Sequence, residues 1–360
     1  MRIVFMGTPD FAKKSLEAVY NANHNIIAVV TNADKPKGRG MKMIYTPVKE
    51  FAIEKNLPIY QPLKIRNNTE FIDEIRVLNP DVLCVVAYGK ILPKEILDIP
   101  KYGAINVHGS LLPKYRGAAP IQWAVINGEK ETGITTMFMD EGMDTGDMIL
   151  KEKVSIRENE TTGELWDELS NIGAKLLVET LNKIEEIREK ISIEEKNRNN
   201  DEIKEKVKKL IGATKQGEEF TLAPMLNKDI ALIDWNKTAI ELHNLIRGLD
   251  PIMGAYTFYN DKKLKIWKAK VLNEEEFRNM LNNAQANCLN IFDKDEEDLS
   301  NNIEKSQNGQ IIFCNKKQGL FVKTGDGILS LLEVQSENAK RMDIKSFLNG
   351  NEIETGIVLK

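Results

Sequence analysis

The segment Asp81–Tyr88 restricts the fold of this 360-residue chain more than any other, because its sequence, DVLCVVAY, is almost wholly apolar. A short apolar run of this kind is typical of a parallel strand that is covered on both faces. Two further strands are predicted at Arg2–Met6 and Asn25–Thr31, with a helix over Phe11–Asn21 between them. This order predicts an α/β fold with a doubly wound sheet in the N-terminal half.

The first loop of this half argues against a nicotinamide enzyme. It reads Gly7-Thr8-Pro9-Asp10-Phe11 and contains one glycine. The dinucleotide fingerprint requires three glycines between the first strand and the first helix, and no later stretch supplies them. The fold class is therefore Rossmann-like without the dinucleotide motif.

Candidate chemistry lies in the segment Gly103–Gly117, where the apolar run Ala104–Val107 predicts a buried strand that ends in a loop. Asn106 and His108 are two positions apart, so an extended chain projects them from one face. Ligands of open α/β sheets bind beyond the carboxyl ends of strands, which is where this polar pair falls. From the residues alone, a structural histidine beside a turn asparagine remains an equal alternative.

An acidic, glycine-containing loop follows the next predicted strand, with the sequence EGMDTGD over Glu141–Asp147. Oxygen ligands at alternate positions suit calcium or magnesium, but this run is too short and lacks the full set of spaced carboxylates. We expect a plain turn, or a turn from which one carboxylate serves the site. The cysteines Cys84, Cys288 and Cys314 are isolated, so no metal site is expected.

A long loop, Asn32–Pro47, holds two prolines, two glycines and four basic side chains. Connections of this length are uncommon unless they are functional or disordered. Clustered lysine and arginine on a glycine-hinged segment suit a phosphate backbone, although an inert surface loop has the same composition. The basic residues are Lys35, Lys37, Arg39 and Lys42.

The composition changes after residue 187, where Glu, Lys, Arg and Asn dominate as in a linker. The remaining half contains a predicted helix, Thr238–Arg247, and short strands separated by polar turns, which fit a small β-barrel or sandwich. The predicted strands are 255–259, 263–271, 310–314, 320–323 and 327–334. We expect a catalytic domain at 1–187, a linker at 188–205 and a C-terminal domain at 206–360 with an acidic, Asn-rich insertion at 273–309.

Bulk properties restrict the function only weakly. The net charge is −4, and a near-neutral total neither favours nor excludes nucleic acid, because partners respond to local fields. The apolar run at the N-terminus is too short for a signal peptide, and nothing later approaches the length of a membrane span. We expect a cytoplasmic protein without a membrane partner.

Several motifs together resemble those of the methionyl-tRNA formyltransferase family, and the resemblance runs nearly end to end. The Asn-x-His pair and the Asp-x-Gly loop are shared with the wider group of formyltetrahydrofolate enzymes, so they indicate formyl chemistry rather than the acceptor. The motifs are Gly7–Phe11, Lys37–Gly40, Val86–Gly89, Ile105–Pro113, Arg116–Ile121 and Asp144–Met148.

The resemblance implies a catalytic trio of Asn106, His108 and Asp144. It also implies tRNA recognition by Arg39 and its basic neighbours Lys35, Lys37 and Lys42, with help from a C-terminal barrel that resembles an OB-fold. The folate-contacting residues that it implies are Ser110, Leu111, Leu112 and Pro113.

The activity implied by the resemblance is transfer of a formyl group from 10-formyltetrahydrofolate to initiator methionyl-tRNA, which gives N-formylmethionyl-tRNA for translation initiation. The expected protein is a monomer that uses 10-formyltetrahydrofolate as co-substrate and no metal. In that reaction Asp144 either orients His108 or takes a proton from the attacking amine, and the sequence does not separate these roles.

Two features depart from the family pattern. Asp250-Pro251-Ile252-Met253 stands where Pro-Trp-Pro is common, and the 273–309 insertion is longer than usual. Both concern tRNA binding rather than the chemistry. The alternatives are a formyltransferase acting on a small amine, such as a phosphoribosyl-glycinamide or an amino sugar, and an RNA-binding protein on a catalytically dead scaffold.

Overall fold

The computed structural model describes residues 1–37, 42–191, 199–285 and 305–360. By their contacts, these residues form two compact units. The first unit contains Met1–Ile121, Glu131–Ile156 and Glu164–Met225, and the second contains Gln122–Lys130, Arg157–Gly163 and Leu226–Lys360.

Up to Met225, helices separate most of the strands, and no described helix lies between the strands of 25–44 or of 131–155. The strands are β1 (Arg2–Gly7), β2 (Asn25–Val30), β3 (Lys35–Lys37), β4 (Lys42–Ile44), β5 (Ile59–Tyr60), β6 (Val82–Val86), β7 (Ala104–His108), β8 (Glu131–Phe138) and β9 (Met148–Ser155). The helices are α1 (Asp10–Asn21), α2 (Pro47–Glu54), α3 (Thr69–Leu78), α4 (Lys94–Leu97), α5 (Pro120–Ile126), α6 (Thr162–Lys190) and α7 (Asn200–Ile211).

Seven of these strands form one sheet in the order β5-β2-β1-β6-β7-β8-β9. The five strands from β5 to β7 are parallel, whereas β8 runs antiparallel to β7 and β9 antiparallel to β8. Every residue of β6 is buried, as expected for a central strand with helices on both faces. The predicted Rossmann-like, doubly wound fold is confirmed, with an antiparallel pair at one edge.

From Leu226 onward, the described part of the second unit is an antiparallel β domain with three α-helices and one short 3-10 helix, Asp229–Ala231. Its elements are α8 (Ala239–Leu249), β10 (Ala255–Tyr259), β11 (Lys262–Leu272), α9 (Glu274–Gln285), β12 (Ile311–Asn315), β13 (Gly319–Lys323), β14 (Ile328–Ser336), β15 (Met342–Asp343) and α10 (Ile344–Gly350). The strand order is β10-β11-β14-β13-β12, with β15 paired to β14.

Residues 356–360 connect the two edge strands of this sheet. Lys360 exchanges backbone hydrogen bonds with Phe258 of β10, and the Ile311 N–H in β12 donates to the Ile357 carbonyl. A barrel removes exposed strand edges, and these bonds cover both edges in the same way. The predicted C-terminal β domain is confirmed.

The domain bounds given above stay predictions. Residues 206–225, which the sequence analysis assigns to the C-terminal domain, make their contacts within the first unit. Of the insertion at 273–309, residues 274–285 form α9, whereas 286–304 lie outside the described residues. None of the described helices combines the length and the apolar character needed to cross a membrane.

Candidate active site

Strand β7 presents the first two site residues. Asn106 and His108 are alternate residues of this strand and lie opposite Met137 and Thr135 of β8. His108 is 5% exposed, so its imidazole is held within the fold rather than in bulk water. The pair predicted from the sequence therefore lies at the carboxyl end of a central strand, where sheet ligands bind.

Asp144, from the loop between β8 and β9, completes this cluster. Its Oδ2 lies 3.5 Å from Nδ1 of His108 and accepts a hydrogen bond of 2.9 Å from the Gly117 N–H. Its Oδ1 accepts from Nδ2 of Asn106 at 3.4 Å. One partly buried carboxylate thus faces the Gly117 N–H, the Asn106 amide and a ring nitrogen of His108.

Asp144 has a left-handed backbone, with φ +53°. A residue with a Cβ adopts this conformation at a cost of about 1–3 kcal/mol unless the surroundings impose it. Gly146 allows the loop to approach β8 closely, because a Cβ at this position would lie 1.8 Å from the Phe138 carbonyl oxygen. The loop is therefore held against β8 in a conformation that aims the carboxylate at β7.

The second ring nitrogen of His108 contacts the loop after β7. Its Nε2 lies 2.9 Å from the Tyr115 carbonyl oxygen. A carbonyl oxygen only accepts, so this contact is a hydrogen bond when Nε2 carries the hydrogen, and Nδ1 then donates to Asp144 only in the protonated ring. Both nitrogens of the imidazole thus face oxygen atoms, one of a carbonyl and one of a carboxylate.

Residues 214–223 pack beside both site loops, within the first unit. The Tyr115 and Arg116 N–H groups donate to the side chain and the carbonyl of Thr221. The Ala223 N–H donates to the Arg116 carbonyl, and the Ala223 carbonyl accepts from the Ala119 N–H. Gly117 has φ +126°, and a Cβ there would lie 2.6 Å from the Ala223 carbonyl oxygen, so glycine is required at this close approach.

The segment Ser110–Pro113 is largely internal. Ser110 is fully buried and its Oγ donates to the Lys114 carbonyl, and Leu112 is 1% exposed. The Leu112 carbonyl accepts from Nζ of Lys151, whose pKa is lowered by burial. Leu111 and Pro113 are partly exposed, so they are the side chains of this segment that a ligand can reach.

A cavity next to Asp144 was not predicted from the sequence. Its walls combine apolar and polar side chains, and it lies between the start of the loop after β6 and the acidic loop. Burial, together with the positive charge of Lys35, lowers the pKa of Lys90 at its rim. The lining residues are Lys90, Ile91, Leu92, Met137, Met139, Asp140, Glu141, Gly142, Met143 and Asp144.

The basic loop forms a short antiparallel hairpin from β3 and β4. Lys35 is exposed, Arg39 lies outside the described residues, and only the backbone of Lys37 and Lys42 is described. The hairpin is anchored at its base, where Nζ of Lys49 contacts Oδ2 of Asp34 at 2.5 Å. Apolar side chains that the sequence analysis did not single out are exposed on it and just after it, namely Met43, Ile44 and Tyr45.

The described residues contain no group of three or more His, Cys, Asp and Glu side chains arranged to hold a metal ion. The structure brings together Asn106, His108 and Asp144. It adds Tyr115 and Gly117, which lie in the predicted segment Gly103–Gly117, and Thr221 and Ala223, which no motif noted in the sequence contains. No local pattern marks Thr221, because it acts through contacts that are distant along the chain.

Comparison with known proteins matches the chain to two family profiles. The profile described as formyl transferase matches residues 1–181, and that described as formyl transferase, C-terminal domain, matches residues 225–352. A methionyl-tRNA formyltransferase of Clostridioides difficile (strain 630) is 49% identical over 359 residues, which cover 100% of both chains. One of Caldanaerobacter subterraneus subsp. tengcongensis is 46% identical over 360 residues, again 100% of both chains.

Solved structures share the fold at low identity. An N-formyltransferase from Helicobacter canadensis, in complex with folinic acid and dTDP-3-aminofucose, has a TM-score of 0.53 at 19% identity, covering 91% of this chain and 98% of that one. HypX from Aquifex aeolicus, in complex with tetrahydrofolic acid, has a TM-score of 0.53 at 14% identity, covering 99% and 50%. At these identities the likeness concerns the fold alone.

Proposed function

Since this chain belongs to the methionyl-tRNA formyltransferase family, we propose that it transfers a formyl group from 10-formyltetrahydrofolate to the α-amino group of methionine esterified to initiator tRNA. The observation that carries the proposal is the contact of Asp144 with both Asn106 and His108, in a chain that matches its relatives over its whole length. The product is N-formylmethionyl-tRNA.

The reaction joins an amine to a formyl carbon and releases the N10 nitrogen. The new C–N bond forms as the amine attacks, the bond from the formyl carbon to N10 breaks, and the proton that the amine loses is balanced by one that N10 gains. An α-amino group has a pKa of about 8, so near neutral pH a proton must leave around the time of attack. The site therefore has to stabilise an oxyanion and move a proton.

We assign to Asn106 and His108 the stabilisation of the oxyanion that forms on the formyl oxygen. Both are hydrogen-bond donors fixed on one strand, and preorganised donors stabilise developing charge at no reorganisation cost. The second N–H of the Asn106 amide is available in addition to the one that faces Asp144. On substrate binding, His108 would exchange its contact with the Tyr115 carbonyl for one with the reacting group.

We assign to Asp144 the orientation of His108. Its Oδ2 is close to Nδ1 and its Oδ1 faces Asn106, so it holds both donors of the oxyanion site at once. A carboxylate beside an imidazole also stabilises the imidazolium that forms when His108 takes a proton. The contacts of both carboxylate oxygens with Asn106, Gly117 and His108 support orientation rather than direct removal of the amine proton.

We place the folate near the cavity beside Asp144. Its apolar side chains, Ile91, Leu92, Met137 and Met139, suit the face of a flat heteroaromatic ring, and Asp140–Asp144 supply polar atoms at its edge. The burial of Ser110 and Leu112 leaves Leu111, Pro113 and backbone groups as the contacts of the 110–113 segment.

We place the tRNA on the β3–β4 hairpin. Lys35 and the basic residues that follow it in the sequence, Lys37, Arg39 and Lys42, suit phosphates, and the exposed Tyr45 adds a surface on which a base stacks. Nζ of Lys49 lies 4.3 Å from the centre of the Tyr45 ring and joins this ring to the Asp34 anchor. The C-terminal β domain is the second candidate surface for the tRNA.

The test is formyl transfer from 10-formyltetrahydrofolate to methionyl-tRNA, measured in parallel on initiator and elongator tRNA. We expect transfer with strong preference for the initiator. Asp144→Asn serves as the control with strongly reduced activity. Transfer to a small amine with none to either tRNA would overturn the proposal in favour of a small-molecule formyltransferase.

A further inference from the structure

Gln216 connects the two loops of the site through its side-chain amide. Its Nε2 donates to the backbone carbonyls of Asp144 at 2.7 Å and of Gly146 at 2.9 Å. Its Oε1 accepts from Nε of Arg116 at 2.9 Å. Residue 216 lies outside both ranges matched by the family profiles, 1–181 and 225–352.

The chemistry of these partners requires an amide. The two carbonyl oxygens only accept and the Nε of Arg116 only donates, so the orientation of the amide follows from its partners. A glutamate would place an acceptor against two carbonyls, and a lysine would leave Arg116 without its acceptor. Glutamine satisfies all three.

The contacts form a closed ring around Asp144. The carboxylate of Asp144 accepts from the Gly117 N–H, Gly117 follows Arg116 in the chain, Arg116 donates to Gln216, and Gln216 donates to the carbonyl of Asp144. The backbone and the side chain of Asp144 are thus each fixed from a different side. This constraint matters because its left-handed backbone is a conformation that the residue would otherwise leave.

Arg116 is itself held firmly. It is 8% exposed, and its guanidinium lies 4.6 Å from the centre of the Phe220 ring. Its backbone bonds with Thr221 and Ala223 fix the main chain at the same point. Arg116 is therefore a fixed partner for the amide of Gln216. Through this amide, the position of Asp144 depends on the position of residues 115–117.

We propose that Gln216 is a positioning residue for formyl transfer, which sets the carboxylate of Asp144 against His108. This inference rests on the proposed role of Asp144. A displacement of about 1 Å at a reacting group costs on the order of 100-fold in rate, so loss of the amide pattern is expected to lower kcat by roughly 10- to 100-fold. KM for tRNA should stay within about twofold, because the contacts of Gln216 are internal.

The experiment compares Gln216→Glu and Gln216→Met, both close in size to glutamine, with Glu218→Gln, an exposed residue two positions further along the chain, as the control. kcat and both KM values are measured together with the melting temperature. The same Gln216 substitutions are then made in an Asp144→Asn background. If Gln216 acts through the carboxylate of Asp144, its substitution should lower kcat less than about threefold in the Asp144→Asn background. The effects of substitutions at interacting residues are not additive.

Three results would overturn the inference. These are a kcat within threefold of the wild type for both variants, an equal loss in the two backgrounds, and unfolding of both variants at the assay temperature, which would make the residue structural. Failure of the proposed function would give other results. Either Asp144→Asn would keep full activity, or the wild type would not formylate methionyl-tRNA.

Discussion

Nδ1 of His108 lies 3.5 Å from Oδ2 of Asp144, although one residue ends a central strand and the other belongs to a loop beyond the next strand. The same carboxylate oxygen accepts from the Gly117 N–H, and the other oxygen accepts from Asn106. Asp144 therefore organises both donors of the site, and its variants test the assignment most directly.

Asp144→Asn should lower kcat by roughly 10²-fold or more while leaving the fold intact. The amide keeps the size of the side chain but removes the charge that stabilises a protonated His108, and positioned acid–base groups contribute about 10²–10⁴-fold. Steady-state formylation, with thermal unfolding as the control for folding, checks this. A loss smaller than threefold would remove Asp144 from the mechanism.

Asn106→Ala should lower kcat by roughly 10²–10³-fold, the usual cost of one oxyanion donor, with little change in KM for the folate. The reason is that the amide contributes in the transition state and little to ground-state binding. Kinetics at saturating methionyl-tRNA measure this effect. A rise in KM at unchanged kcat would instead assign Asn106 to folate binding.

Gly146→Ala should reduce kcat more than tenfold, because the new Cβ would meet the Phe138 carbonyl and displace the loop that carries Asp144. Gly217→Ala is the matched control, since a Cβ there has no atom within 4 Å. It should retain activity within about twofold. Equal activities of the two variants would contradict the loop geometry described above.

Lys35→Ala and Arg39→Ala should raise KM for tRNA and flatten its salt dependence. Each lost phosphate contact reduces the slope of log affinity against log salt by about 0.7–0.9. Measuring KM for tRNA at several salt concentrations, from low to moderate, gives the slope of log KM against log salt. Lys183→Ala, a partly exposed lysine on α6, is the control. A slope that no variant of the basic loop changes would exclude this loop from phosphate contact.

His243 predicts a pH dependence of stability. Burial lowers its pKa below the usual 6.5, and the nearby charge of Arg247 lowers it further. As the pH falls below 6.5, the unfolded chain takes up a proton that the folded chain does not, so stability present above pH 6.5 is lost. Urea unfolding at pH 7.5 and 5.5 should show a smaller decline for His243→Gln than for the wild type. An equal decline would exclude His243 as the source.

The arrangement of strands and helices could be predicted because it depends on local patterns. The apolar run at β6 and the short strands separated by polar turns in the C-terminal half reflect which residues are buried, and burial is encoded residue by residue. The part of the site that could be predicted is the pair Asn106 and His108, because these residues are two positions apart on one strand. The resemblance to a family added Asp144, which no spacing from His108 would have indicated.

The sequence by itself determined the α/β and β domains, the strand that carries Asn106 and His108, and the basic loop, because each depends on neighbouring residues. Only the tertiary structure decided that Asp144 faces His108, that Ser110 and Leu112 are buried, and that Gln216 and Thr221 of a segment assigned to the second domain contact the site loops. These contacts join residues far apart in the chain, and their geometry depends on how the loops pack once the sheet has formed.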